Sequence, residues 1–185
     1  KTLDRKKASI IKTDLKKITS KRKSILGLKF DNPQIMGALN VTPDSFSDGG
    51  LFFEEKKANN QIKLMLNDGA KIIDIGGEST RPGSKTITDA NEWSRINMII
   101  TEFKKNFPET ILSLDTRKSK VMLNGIKNGV DIINDVSGLN FDKNSFDVVK
   151  SKQIPLILHH MQGTPATMQN NPTYEDVLLD IFDFF

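Results

Sequence analysis

The chain has 185 residues, 37% of them hydrophobic, which is enough apolar material for one sizeable core. It has no cysteine, so disulfides, thiolate metal sites and cysteine nucleophiles are excluded, and a cytoplasmic location suits it. No apolar run approaches the roughly 20 residues needed to cross a bilayer, no signal peptide follows the Lys-rich start, and the net charge of +4 is unevenly placed.

Residues 1–30 hold eleven basic and two acidic groups, a net of +9 that leaves −5 for the remainder. The basic character thus belongs to an amino-terminal extension, 1–30, and not to the domain expected over 31–185. It is read as a solvated arm rather than as a nucleic-acid or membrane footprint. Ile11, Leu15 and Ile18 have helical spacing, so part of the arm is expected to pack on the domain. Residues 25–30 read as a short strand or hairpin partner, and Asp31-Asn32-Pro33 as the turn into the first main strand.

That strand, residues 35–39, is too short and apolar for a stable helix and runs directly into Asn40 and a Thr-Pro-Asp-Ser segment. Pro43, Gly49 and Gly50 let the following loop hold an irregular shape. Ala58, Ile62, Met65 and Leu66 then share one helical face, ended at Asp68-Gly69. A second strand, 70–75, ends in Gly-Gly-Glu-Ser-Thr-Arg-Pro. Its helix places Trp93, Ile96, Ile100, Phe103 and Phe107 at intervals of three and four before Pro108, so Trp93 is core rather than a ligand. The third strand, 110–114, ends at Asp115-Thr116-Arg117 and leads to a helix with Val121, Leu123 and Ile126. The fourth, 130–133, ends at Asn134-Asp135 and precedes a short helix over 145–150. The fifth, 154–158, ends at His159-His160-Met161-Gln162-Gly163, and a further helix is expected over 174–185.

Continuous apolar strands alternating with helices predict a parallel sheet covered by helices. Polar groups collecting at the carboxyl ends of those strands predict a (β/α)8 TIM-type barrel, of which only the first five β/α units are present. A doubly wound sheet is the alternative, but no glycine-rich dinucleotide fingerprint appears. Since such a barrel takes about 250 residues, the reading favours a piece lacking the last three units. An inward Asn134 offers a donor and an acceptor to an amino-pyrimidinone edge, and Asp115 offers acceptors to ring N–H groups.

The pair NVTPDSFSDGG (residues 40–50) and DIGGESTRPG (74–83) resembles the signature of dihydropteroate synthase, a pterin-binding enzyme of folate biosynthesis. The resemblance runs over about residues 33–173, without the family's later elements that supply the rest of the pterin site and most of the pyrophosphate cradle, and so implies a chain inactive alone. It implies a transferase that joins 6-hydroxymethyl-7,8-dihydropterin pyrophosphate to p-aminobenzoate, releasing 7,8-dihydropteroate and pyrophosphate. It implies Asn40 as a magnesium ligand beside the pyrophosphate, with phosphate and water completing the shell. Asp74, Asp115, Asn134 and His159 match pterin-binding positions, although the family commonly has Met where His159 stands. Phe46, Thr80, Arg81 and Pro82 match the loops that close over the aminobenzoate and the leaving group. Asp48 and Asp115 would stabilise the positive charge developing on the pterin methylene. The partners implied are these small molecules, with no nucleic acid or membrane and with room for a homodimer. A non-catalytic pterin-binding subunit and a pterin-binding methyltransferase domain are the competing readings.

Overall fold

The computed structural model describes residues 5–21, 23–42, 51–79 and 84–185. The chain divides into two compact units, Lys1–Pro33 and Gln34–Phe185.

The first unit contains helix α1 (Arg5–Thr19), whose last turn carries Lys16 and Lys17, cations placed where the helix dipole is negative. Ile10, Ile11 and Leu15 are exposed along it. Beyond α1 an antiparallel bridge joins Ile25 to Leu28. The two residues between them, Leu26 and Gly27, both have positive φ, as tight hairpin turns require.

The second unit begins with strand β1 (Met36–Asn40) and helix α2 (Leu51–Asn67), and continues through β2 (Ile72–Gly76), α3 (Asp89–Asn106), β3 (Ile111–Asp115) and α4 (Ser119–Lys127). Strand β4 (Ile132–Asp135), α5 (Ser145–Lys152), β5 (Leu156–Leu158) and α6 (Val177–Phe184) complete it. All neighbouring strands pair in parallel, and the sheet order is the chain order, β1 to β5. A doubly wound sheet reverses its strand order at a switch point. This one never does, which is the winding of a β/α barrel.

The helices form where apolar spacing and caps agree. The α3 stripe buries Ile96, Ile99, Ile100 and Phe103, and the Thr88 hydroxyl caps the helix by accepting from the Asn91 amide at 3.2 Å, satisfying a donor left over by helix geometry. Helix α6 starts at Val177, later than the apolar pattern predicts, because Asp176 caps it by accepting from the Leu178 and Leu179 amides. Trp93 is half-buried against the core, as the sequence predicts.

Strand periodicity separates the two faces of the sheet. Leu39, Ile73, Ile75, Leu112, Leu114 and Ile133 point to one side and join Ile62, Ile96, Ile100, Val121 and Met122 in a single buried cluster under the helices. Because side chains alternate along a strand, the residues between them face the other way. Those include Ile72, Ile111 and Ile132 low in the sheet, and Asn40, Asp74, Ser113, Asp115 and Asn134 toward the carboxyl ends, where the polar residues gather.

Candidate functional site

Strand register sets the site. Asn40 lies opposite Gly76, Gly76 opposite Asp115, and Asp115 opposite Asn134, so these four form one row across the carboxyl ends of β1 to β4, with side chains on one face. One step below, Asp74 pairs with Ala38 on one side and Ser113 on the other. Gly76 contributes by what it lacks. A Cβ there would come within 3.3 Å of the Asp115 carboxylate, so only glycine leaves the surface beside that carboxylate open.

Inside this row, Asp74 is clamped. The Ser113 hydroxyl donates to its Oδ1 at 2.5 Å, and the Asn134 amide nitrogen donates to its Oδ2 at 3.0 Å. All three side chains are buried. This pins the Asn134 amide and leaves its Oδ1 buried without a hydrogen-bond partner. Burial raises the Asp74 pKa, against the hydrogen bonds from Ser113 and Asn134 and the charge of His159. Among the described residues no hydrogen bond offsets burial at Asp115. Burial first, and then the negative charges of Asp74, Glu92, Asp135 and Glu78, push its pKa up to about 7. Near neutral pH the Asp115 carboxyl can therefore accept or donate a hydrogen bond, and a ligand that offers N–H groups favours its ionised form.

His159 follows β5 and is exposed. Its amide donates to the Asp135 carbonyl at 3.2 Å, which fixes the strand exit, and its charge is felt at Asp74. Asn40 is exposed at the end of β1. The other residues matched by the two signature loops, Phe46, Asp48, Thr80, Arg81 and Pro82, lie outside the described residues.

Two features went unmarked in the sequence. Ser113 is one; a lone hydroxyl in the apolar run Ile111–Asp115, on the same parity as Asp115, was the available signal. The other is a buried charge cluster beside the site. Arg117 Nε donates to Glu78 Oε2 at 2.8 Å, and the Lys118 ammonium bridges Glu78 Oε1 at 2.9 Å and Glu92 Oε2 at 2.5 Å. Glu92 is wholly buried on α3. Burial pushes the Glu78 carboxyl up, but Arg117, the Ile87 amide and Lys118 together outweigh it and hold the pKa below the usual carboxylate range.

Among the described residues no group of three His, Asp or Glu side chains is arranged to hold a metal ion, and no helix is long and apolar enough to cross a membrane. Asn40 offers one hard amide oxygen. That fits a magnesium ion held mainly by substrate phosphate and water, which needs few protein ligands, and does not fit an all-protein cage.

The family model described as pterin binding enzyme matches residues 36–185. The dihydropteroate synthase of Haemophilus influenzae is 43% identical over 152 residues, covering 82% of this chain and 54% of that protein. Among solved structures, the Yersinia pestis dihydropteroate synthase with a sulfonamide drug complex superposes with a TM-score of 0.78 at 39% identity, covering 88% of this chain and 59% of that one. The Xanthomonas albilineans dihydropteroate synthase with 4-aminobenzoic acid gives 0.74 at 36% identity, covering 85% and 55%. The chain thus spans about half the length of the relatives it matches. With the fold, the polar row and the family match in agreement, the chain belongs to the pterin-binding enzyme family.

Proposed function

We propose that this chain carries the pterin half-site of a dihydropteroate synthase. The enzyme would join 6-hydroxymethyl-7,8-dihydropterin pyrophosphate to p-aminobenzoate, giving 7,8-dihydropteroate and pyrophosphate. The observation that carries the reading is the pinned Asn134 amide: its nitrogen is committed to Asp74, and its buried oxygen is left to accept from a ligand, directly beside Asp115. A pterin ring presents N–H and amino donors on one edge, which suits two adjacent acceptors. The sulfonamide and 4-aminobenzoic acid complexes of the related enzymes favour an aryl amine as the second substrate.

In this reading Asp74, Asp115 and Asn134 hold the pterin, with His159 at the rim. The aryl amine nitrogen bonds to the pterin methylene as the carbon–oxygen bond to pyrophosphate breaks, and the amine gives up a proton. Asp115 and Asp48 supply negative charge where the methylene turns positive. Phe46, Thr80, Arg81 and Pro82 act at the aminobenzoate and leaving-group side. Asn40 would hold magnesium, whose chemistry is to offset the charge of the departing pyrophosphate. The reading includes the cytoplasm as location and a homodimer as assembly, the latter checked by light scattering.

The test is a fluorescence titration of the chain with the pterin pyrophosphate. Saturable binding is expected, weakened by at least about tenfold in Asn134→Ala, as loss of a hydrogen bond to a buried ligand implies. Unchanged affinity in a folded Asn134→Ala chain would overturn the proposal.

A further inference from the structure

An amide side chain is nearly symmetrical in shape but opposite in chemistry at its two ends, so which end meets a ligand depends on what holds the other. At Asn134 the holder is Asp74. Neighbouring strands lie about 4.8 Å apart, so Asp74 on β2 and Asn134 on β4 reach toward each other over β3, where the short Ser113 leaves them room. The Asn134 Nδ2 donates to Asp74 Oδ2 at 3.0 Å, and the Ser113 hydroxyl donates to Asp74 Oδ1 at 2.5 Å. Ser113 is wholly enclosed, and Asp74 and Asn134 are each more than nine-tenths buried.

Each link in this chain has a direction. Ser113 gives its proton to one oxygen of Asp74, which keeps the carboxylate from turning, and the second oxygen accepts from Asn134. Turning the Asn134 amide over would set two buried oxygens against each other with no proton between them, at the full desolvation cost of an unpaired group. The end left for a ligand is therefore Oδ1, which is buried without a hydrogen-bond partner and belongs to the residue next in register to Asp115. Both neighbours then offer acceptors. A ring that brings an N–H and an amino group to them is matched, whereas one with an oxo group in place of the amino group sets oxygen against oxygen.

We propose that Asp74, itself held by Ser113, is a positioning residue that sets ring specificity: it keeps Asn134 an acceptor and so makes the site select a ring amino group over a ring oxo group. This deepens the pterin reading and rests on it. In holding the pterin, Asp74 acts through Asn134.

The experiment titrates the chain with 6-hydroxymethyl-7,8-dihydropterin pyrophosphate and with its 2-oxo analogue, which carries a carbonyl where the pterin carries its amino group. The ratio of the two affinities is the readout. In the wild type the pterin should bind about a hundredfold more tightly, the order expected when a buried acceptor is faced with another acceptor. Asp74→Asn keeps the shape but gives residue 74 an N–H of its own, so Asn134 is free to turn over and donate to the oxo group. The ratio should fall by at least about tenfold, chiefly through tighter binding of the analogue. Ser113→Ala frees one oxygen of Asp74 but leaves the carboxylate, and should lower the ratio by about threefold. Removing the charge of residue 74 also acts on Asp115, which feels it, and a double-mutant cycle separates the two routes. In an Asn134→Ala background, where no amide remains to turn, Asp74→Asn should leave the ratio within about twofold. No discrimination in the wild type, an unchanged ratio in Asp74→Asn, an equal fall in both affinities, or the same drop in ratio with and without Asn134 overturns the proposal while pterin binding stands. Where Asp74→Asn fails to fold, Ser113→Ala carries the test by the same criteria. If the wild-type chain binds neither compound, the pterin reading itself is lost and the role of Asp74 with it.

Discussion

Two groups of buried charge stand at the same ends of the same strands and obey opposite rules. The Glu78, Glu92, Arg117 and Lys118 group is balanced, two acids with two bases joined by three contacts of 2.5–2.9 Å. Around Asp74 and Asp115 the balance is different: His159, at the rim, lowers the Asp74 pKa less than burial raises it, and four carboxylates push the Asp115 pKa upward together with burial. A balanced cluster is complete in itself and so belongs to the scaffold. An unbalanced one is stabilised by whatever brings donors or positive charge to it, which is the condition for a ligand site.

The sharpest way to break this contrast is to unbalance the first group. Lys118→Ala should leave Glu92 buried without its cation and cost about 3–5 kcal/mol of unfolding free energy, the usual penalty for orphaning a buried charge. Chemical denaturation measures it. A loss under about 1 kcal/mol would mean that the cluster is not the scaffold described here.

Relieving the second group should have the reverse sign. With a folded-state pKa raised to about 7, the Asp115 proton favours the fold. That contribution is complete below the unfolded value near 4, and is lost as the pH climbs through 7. Asp115→Asn should therefore match the wild type at pH 4 and exceed its stability at pH 8 by about 3 kcal/mol. Parallel stability curves across that range would show that Asp115 is not strained.

The same titration governs binding. If the ionised carboxylate accepts from the pterin, affinity should rise by about tenfold between pH 6 and pH 8 in the wild type, in step with ionisation of a group near 7, and be flat in Asp115→Asn. Isothermal titration at several pH values reads both chains. The smallest effect calibrates the comparison away from either cluster: Thr88→Ala removes the α3 cap and should cost about 1 kcal/mol in thermal unfolding, leaving pterin affinity as it was.

Much of this molecule could be read along the chain. Alternating short apolar runs and amphipathic stretches dictate a parallel β/α sheet, because a strand apolar on both sides must be covered on both. Signature loops at two consecutive strand ends point to the family, and Asp115 and Asn134 already stand out there as polar groups closing apolar strands. Less visible was how these side chains are held. Ser113 reaches Asp74 across 39 positions, and Asn134 reaches it across 60; no local pattern encodes either contact, since both follow from strand register. Arg117 could be seen in the sequence only as part of a polar strand end. Its burial, its hydrogen bond to the Thr86 hydroxyl and its stacking on the Phe141 ring arise only when three separate segments meet.

The one-dimensional pattern of apolar and polar residues thus specified the secondary elements, their order and the chemistry concentrated at the strand ends, because periodicity and turn formers act locally. Folding in three dimensions settled which carboxylates face one another and which are neutralised. Charge balance depends on distances between segments far apart in the chain, and those exist only once the sheet has registered.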